Sequence, residues 1–309
     1  MAKTRTARAR RKTSPTNVST VPNRSPFRYP GGKTWLIPEI RKFLRSRPVR
    51  PEVLVEPFAG GAICSLTAVA ERLVDRAVLV ELDEDVAAVW STIIHEDAEA
   101  LVDRILNFKM TPGNLDQALQ ETSTGQLERA FATILRNRVN HGGILASGAG
   151  RMKAGENGRG LLSRWYPETL AARIREITTY RERLTVLATD GIGVLRAFGD
   201  ISSAVAFIDP PYTAPGKRAG RRLYNHHELN HEALFDLASD WRGDILMTYD
   251  NSPHVREMAV SRGLQVEPVT MKSGAHARMT EALIGHDLSW LRKVQPPQLD
   301  VQLHLPLSA

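Results

Sequence analysis

Four apolar, strand-like runs in this chain each end in acidic or amide residues. The runs are "RAVLV", "LTVLA", "AVAFI" and "DILMT", and the polar residues that follow them are Glu81 with Asp83, Asp190, Asp209, and Asp250 with Asn251. In open α/β sheets, ligands bind at the carboxyl ends of the strands. The repeated pattern therefore predicts an α/β fold of the doubly wound type, with a functional site at that edge of the sheet.

The segment 92–178 interrupts this alternation. Helical patterns such as "LERAFATILRNRVN" flank a polar, glycine-rich stretch, and no strand-like run separates them. We interpret the segment as an inserted, mostly helical domain that contains a long loop. A long loop in a compact protein is usually functional or disordered. The predicted organisation is a basic tail over 1–24, a first part of the main domain over 25–91, the insert over 92–178, a second part over 179–292, and a C-terminal tail over 293–309.

The charge of the chain is concentrated at its N-terminus. Residues 1–24 contain seven basic residues and no acidic one, which accounts for the whole net charge of +7. Such an arm cannot bury enough apolar surface to fold alone, so we expect it to be disordered, and it either attracts phosphates or is merely solvated. The chain has one cysteine, Cys64, and its apolar runs fall short of a membrane span. A cytoplasmic protein with no membrane partner is therefore expected.

The most specific motif is DPPY, from Asp209 to Tyr212, directly after the run "AVAFI". The Asp209 carboxylate and the Pro210 carbonyl can both accept hydrogen bonds from one amino group, which localises its lone pair. Pro211 stiffens the loop, and Tyr212 offers a flat face for stacking. The simpler alternative is a proline-rich turn after a strand.

A second motif, "VEPFAGG", reads as a strand followed by a glycine turn. Gly60 and Gly61 let the backbone approach a ligand closely, and Glu81 ends the next strand 21 positions after Gly60. An acid at that place commonly binds ribose hydroxyls. The alternative is a tight turn and a surface acid. A third motif, "YPGGKT", is no P-loop, because Phe27 stands where the first glycine would be required.

In order and identity, these motifs resemble the alpha group of DNA amino-methyltransferases, the DNA adenine methylase family. "YPGGK", "EPFAGG", "VELDED", the insert and DPPY follow one another as in that family, and the similarity spans about 27–290. The resemblance implies a Rossmann-like methyltransferase sheet with an inserted target-recognition domain. It further implies transfer of a methyl group from S-adenosylmethionine to N6 of a flipped adenine in double-stranded DNA.

The resemblance also implies roles for single residues. Asp209, Pro210, Pro211 and Tyr212 would form the catalytic loop. Lys33 would approach the methionine carboxylate of the cofactor, Glu81 its ribose and Asp190 its adenine ring. Arg136, Asn137 and Arg138 would contact guanine edges or phosphates of DNA. The full predicted cofactor set is Tyr29, Gly31, Gly32, Lys33, Phe58, Gly60, Gly61, Glu81, Asp190 and Asp209.

Several alternatives stay open at this point. Cytosine-N4 methylation uses the same geometry, although serine usually replaces Asp209 in such enzymes. A catalytically silent DNA-binding module, or a methyltransferase acting on RNA or a protein amide, is a further possibility. His226, His227 and His231 lack a third ligand at metal-site spacing, so no metal is predicted. A restriction–modification or phage context is left open.

Overall fold

The structure is a computed structural model that describes residues 21–29, 31–120, 125–146, 148–152, 155, 158–211, 229–272 and 278–292. Tyr212, His226, His227, the first 20 residues of the predicted N-terminal tail and the predicted C-terminal tail lie outside these ranges. The predicted disorder of the tail and the predicted stacking role of Tyr212 therefore stay predictions.

A seven-stranded sheet forms the centre of the protein, in the order β3-β2-β1-β4-β5-β7-β6. The five strands from β3 to β5 in this order are parallel to one another, whereas β7 is antiparallel to both β5 and β6. The bounds are β1 Val53–Glu56, β2 Arg76–Val80, β3 Leu184–Leu187, β4 Ala204–Ile208, β5 Asp244–Asp250, β6 Gln265–Lys272 and β7 Arg278–Gly285. The predicted α/β fold with a Rossmann-like sheet is confirmed, and the hairpin β6–β7 is an addition that the sequence analysis did not predict.

Helices alternate with the parallel strands. The bounds are α1 Ile37–Arg45, α2 Ile63–Ala70, α3 Glu84–Ile94, α4 Ala98–Leu106, α5 Pro112–Gln120, α6 Gln126–Val139, α7 Pro167–Thr178, α8 Gly191–Phe198, α9 His231–Asp240 and α10 Pro253–Val260. A 3₁₀ turn over Lys33–Leu36 precedes α1, and Pro38 lies in the first turn of that helix. A proline is tolerated there because the first helical amides have no partner inside the helix.

Two hydrophobic clusters cover the two faces of the sheet. Successive residues of β1 alternate between them, with Leu54 in one cluster and Val55 in the other, as the two-residue period of a strand requires. Helices α4 to α7 lie between β2 and β3 in the chain, where the insert was predicted. Their buried residues, such as Ile105, Phe131 and Ile174, belong to the same cluster as Leu54. The insert therefore shares its core with one face of the sheet.

The last residues of the predicted basic tail pack against the protein. Val21 is buried, and the Arg24 guanidinium forms ion pairs with Glu176 on α7 and with Glu71 just after α2. Residues 21–24 therefore belong to the folded body, because these partners compensate the charge of Arg24. In the described part of the chain, no helix is long and apolar enough to cross a membrane.

Candidate active site

The candidate site lies at the carboxyl edge of the sheet, where β1 and β4 are neighbours. From this pair the strand order runs outward in both directions, so the loops after β1 and β4 diverge and leave a crevice between them. The parallel strands bring the end of β1, the residues after β2 and the loop that begins at Asp209 to one edge. The predicted convergence of acidic strand ends is thus present in the structure.

Asp209 is held by two partners that come from distant parts of the chain. The Lys33 ammonium lies 2.9 Å from Asp209 Oδ2, and the Thr248 hydroxyl donates a hydrogen bond of 2.7 Å to Asp209 Oδ1. Thr248 lies on β5, beside the end of β4. Each carboxylate oxygen can accept two hydrogen bonds, so this arrangement fixes the carboxylate and still leaves acceptor capacity on both oxygens.

The position of Lys33 differs in one respect from the sequence-based expectation. Its side chain is 4% exposed, and its ammonium donates a hydrogen bond of 3.0 Å to the Gly31 carbonyl, besides pairing with Asp209. The shorter of these two contacts joins the ammonium to the loop that begins at Asp209. A buried ammonium requires a charged partner, and Asp209 is the nearest carboxylate that the structure shows for it.

The glycine turn after β1 is closed by three contacts. The Gly60 amide donates a 2.8 Å hydrogen bond to Glu81 Oε2, and its carbonyl accepts one of 2.8 Å from the Trp90 indole. The ring of Tyr29 lies against the turn, so that a Cβ atom on Gly60 would come within 2.6 Å of it. Gly60 also has a φ of 47°, in the left-handed region that favours glycine. A side chain at this position would therefore displace the Tyr29 ring and strain the backbone.

Glu81 and Glu56 are buried acids beneath this turn. Glu81 accepts backbone hydrogen bonds from Gly60 and Asp83, but burial raises its pKa to about 7. Burial also raises the pKa of Glu56 to about 8, against the lowering effect of the Ser65 amide that donates to it at 3.0 Å. The charges of Asp209 and Glu81 add to this rise. Glu56 is therefore largely protonated at neutral pH, which limits the negative charge beside Asp209.

The remaining predicted cofactor residues occupy the same edge. Asp190 is exposed after β3, and its carboxylate caps α8 by accepting a 3.0 Å hydrogen bond from the Gly193 amide. Phe58 is half-buried and packs on the cluster that contains Val55. Gly31 and Gly32 are exposed, and the Gly32 amide donates to the Tyr29 carbonyl at 3.1 Å. The edge thus carries the exposed carboxylate of Asp190 and an exposed glycine pair beside the buried acids.

The three residues predicted to contact DNA lie at the end of α6 and face different surroundings. Arg136 is ion-paired with Asp85 on α3. Asn137 is fully buried, and its amide makes hydrogen bonds inside the protein, to Arg28 and Gly143. Arg138 is also buried and donates to the Pro26 carbonyl. For Asn137, burial and internal hydrogen bonds leave no donor for DNA, so the predicted DNA contact of this residue is corrected.

Two contributors to the site were not predicted. Thr248 and Trp90 lie inside apolar runs. In such a run a threonine is explained by its preference for strands, and a tryptophan by burial in the core. The sequence signal for Thr248 was its position near the polar end of a predicted strand, at the edge where the site was expected. Of the three histidines considered as metal ligands, the structure describes His231. Its Nδ1 forms a hydrogen bond of 2.9 Å with the Tyr249 hydroxyl.

The strand order, the glycine turn over an acidic strand end and the adjoining Asp-Pro-Pro loop define the Rossmann-like methyltransferase class. The chain belongs to the family of D12 class N6 adenine-specific DNA methyltransferases, whose model matches residues 29–272. The predicted family is thereby confirmed.

Individual relatives are more distant. A DNA N-6-adenine-methyltransferase of Escherichia phage P1 is 25% identical over 280 residues, which cover 86% of this chain and 35% of that protein. The chain thus spans about a third of the length of this curated relative. Among solved structures, a putative RNA methyltransferase from Pyrococcus horikoshii aligns with a TM-score of 0.40 at 10% identity, over 87% of this chain and 92% of the other. A precorrin-6y C5,15-methyltransferase from Geobacter metallireducens aligns with a TM-score of 0.32 at 13% identity, over 80% and 86%.

Proposed function

We propose that this protein transfers a methyl group from S-adenosylmethionine to N6 of adenine in double-stranded DNA. The observation that carries the proposal is the fixed carboxylate of Asp209, held between Lys33 and Thr248 at the carboxyl edge of the sheet. This placement, together with the family, favours adenine over cytosine as the target. Access to DNA in the cell would place the enzyme in the cytoplasm.

The residues at this edge suit the cofactor chemically. Glu81 has one backbone amide on each carboxylate oxygen and therefore keeps acceptor capacity for the ribose hydroxyls. Asp190, exposed after β3, can accept from the amino group of the cofactor's adenine. The closed turn at Gly60 lets backbone rather than side chain border the site. When bound, S-adenosylmethionine supplies an electrophilic methyl group on a sulfonium.

Asp209 acts on the amino group of the target base. Its carboxylate and the Pro210 carbonyl accept the two amino hydrogens, which turns the nitrogen lone pair out of the ring plane and towards the methyl carbon. When the amino nitrogen receives the methyl group that the cofactor would supply, the amino group would become acidic, and Asp209 would accept the proton that it releases. Lys33 and Thr248 hold the carboxylate still, so catalysis rests on positioning and electrostatics.

The target adenine must leave the duplex, because its amino group is otherwise paired inside it. Tyr212 remains the proposed stacking residue for the extruded base. The insert is proposed to read the target sequence, because the sheet edge is occupied by the transfer chemistry. The basic N-terminal arm is proposed to add nonspecific attraction to phosphates, which would weaken as salt is raised.

A cluster of arginines supports DNA as the partner. Burial, together with the charges of Arg173, Arg28 and Arg164, lowers the pKa of Arg138 to about 9. Arg28, Arg164 and Arg173 are half-buried and reach the surface. Clustered guanidinium groups suit an anion, and we propose that these three arginines bind the DNA backbone.

The experiment is transfer of a tritiated methyl group from labelled cofactor to unmethylated bacterial DNA, followed by digestion to nucleosides. We expect N6-methyladenine from the wild-type protein and a decrease of about 10²–10⁴ in rate for Asp209→Asn, with cofactor affinity retained. N4-methylcytosine as product would refute the choice of base. Full activity of Asp209→Asn would remove Asp209 from the reaction, and transfer to RNA or protein instead of DNA would refute the partner.

A further inference from the structure

The insert holds a short segment of the main domain by its backbone. We call residues 25–29 the N-terminal strap. Arg173 on α7 donates a 3.2 Å hydrogen bond to the Ser25 carbonyl, and Arg138 on α6 donates to the Pro26 carbonyl. A Cβ atom on Gly143 would lie 2.0 Å from the Arg28 carbonyl, so the two backbones are in direct contact. The strap is therefore fixed from the side of the insert.

Asn137 makes the central contact in this arrangement. Its Oδ1 accepts a 2.9 Å hydrogen bond from the Arg28 amide, and its Nδ2 donates one of 3.0 Å to the Arg28 carbonyl. A third hydrogen bond of 2.8 Å runs from Nδ2 to the Gly143 carbonyl. The side chain thus pairs with Arg28 as a neighbouring strand would. Because Asn137 is fully buried, loss of these bonds cannot be compensated by water.

The other end of the strap reaches the candidate cofactor site by two routes. Tyr29, its last residue, lies with its ring against Gly60 and Gly61. Phe27 is buried and packs on Trp90 with ring centroids 5.5 Å apart, and the Trp90 indole donates to the Gly60 carbonyl. The position of the strap therefore determines where the glycine turn and the Tyr29 ring lie.

We propose that Asn137 is a positioning residue for the cofactor site, although it belongs to the insert. It fixes Arg28, and thereby sets the Tyr29 ring and the glycine turn in the geometry that binds S-adenosylmethionine. This inference rests on the proposed function, because it names a determinant of cofactor affinity. It replaces the predicted DNA contact of Asn137 with a role in binding the other substrate.

The test uses the full chain and two matched variants, Asn137→Asp and Asn140→Asp. Asn137→Asp retains an acceptor for the Arg28 amide but places an oxygen against the carbonyls of Arg28 and Gly143. Asn140 is also buried, on the same helix end, and its Nδ2 donates at 2.8 Å to the Ile144 carbonyl, within the insert. Both variants lose amide donors, but only Asn137 contacts the strap.

Calorimetry with S-adenosylhomocysteine, the demethylated cofactor, gives the first readout. We expect Asn137→Asp to raise its Kd at least about fivefold and Asn140→Asp to leave it near the wild-type value. In the tritium assay on unmethylated bacterial DNA, Asn137→Asp should raise KM for the cofactor while KM for DNA stays unchanged. Thermal unfolding verifies that each variant is folded, and Asn137→Ala replaces Asn137→Asp if the latter is not.

Three outcomes would overturn the inference. Unchanged cofactor affinity together with a raised KM for DNA would return Asn137 to the DNA interface. Equal losses of cofactor affinity in the Asn137 and Asn140 variants would indicate a general loosening of the insert. Absence of S-adenosylhomocysteine binding by the wild-type protein would refute the proposed function itself, and the inference with it.

Discussion

The ammonium of Lys33 and the carboxylate of Asp209 lie 2.9 Å apart, although 175 residues separate them in the chain. Lys33 is among the few buried charged residues of the described chain. A buried ammonium and a half-buried carboxylate at this distance stabilise each other, and a second carboxylate, that of Glu281, lies 3.8 Å from the ammonium. The glycine segment near the N-terminus and the Asp-Pro-Pro loop after β4 are thereby joined in one candidate site.

Lys33→Met is expected to lower kcat by about 10–100-fold while KM for the cofactor changes little. Methionine fills the volume of the lysine stem but leaves Asp209 without its cation. The control is Lys42→Met, since Lys42 is a partly exposed lysine of α1 that pairs at 2.9 Å with Glu39. Steady-state kinetics of methyl transfer check the prediction. A rise in KM at constant kcat would instead place Lys33 at the cofactor.

Gly60→Ala is expected to weaken S-adenosylhomocysteine binding by about tenfold or more. The added methyl group would lie 2.6 Å from the Tyr29 ring and displace it. Gly263→Ala is the matched control, because Gly263 also has a positive φ, of 75°, but has no atom within 4 Å of the added carbon. Both variants should lose about 1 kcal/mol of stability through backbone strain. Calorimetry and denaturant unfolding separate the two effects, and equal affinities in both variants would contradict the prediction.

The buried Glu56 predicts a pH dependence of stability. Its pKa is raised from 4.5 to about 8 in the folded protein, so the folded state binds a proton more tightly than the unfolded state. The resulting stabilisation is full below pH 4.5 and is lost as the pH rises through 8. Relative to Glu56→Gln, which carries no such proton, the wild-type free energy of unfolding should fall by up to about 5 kcal/mol over that range. The free energy of unfolding of both proteins is measured by urea titration at each pH. A constant difference between the two proteins across the pH range would contradict the prediction.

The arginine cluster predicts a change in the salt dependence of DNA binding. Arg164→Gln should reduce the slope of log K against log salt by about 1, if Arg164 contacts one phosphate. Arg262→Gln is the control, because Arg262 is engaged by Glu232 and Asp236 on α9. Fluorescence anisotropy with a labelled duplex, measured from 50 to 200 mM salt, gives both slopes. An equal change in the two variants would mean that the effect is one of total charge.

The sequence was sufficient to predict the parallel strands and their acidic ends, because apolar runs followed by polar clusters have few other structural solutions. It did not reveal β6 and β7. The edge strand β6 is half-buried and carries a mixed pattern with Pro268, and in the described part of β7 the buried side chains form only the short apolar run Ala282 to Ile284. Asn137 and Arg138 were predicted to contact DNA because they fall near a DNA-contacting segment of the family that the sequence resembles. Their partners are backbone atoms more than 100 positions away. Every residue has a backbone carbonyl, so the residue types in the sequence do not indicate such a partner.

The attachment of the strap to α6 and α7 bears on how such enzymes acquire new specificities. An insert whose only role was to recognise the DNA sequence could be exchanged between relatives as an independent unit. Here the donor helix must also supply a side chain that matches the main chain of residue 28 of the recipient. A graft that spans 92–178 alone would break this match, whereas one that transfers 25–29 along with it would preserve the match. Recombination between relatives should therefore be tolerated best when these two stretches, far apart in the chain, are inherited together.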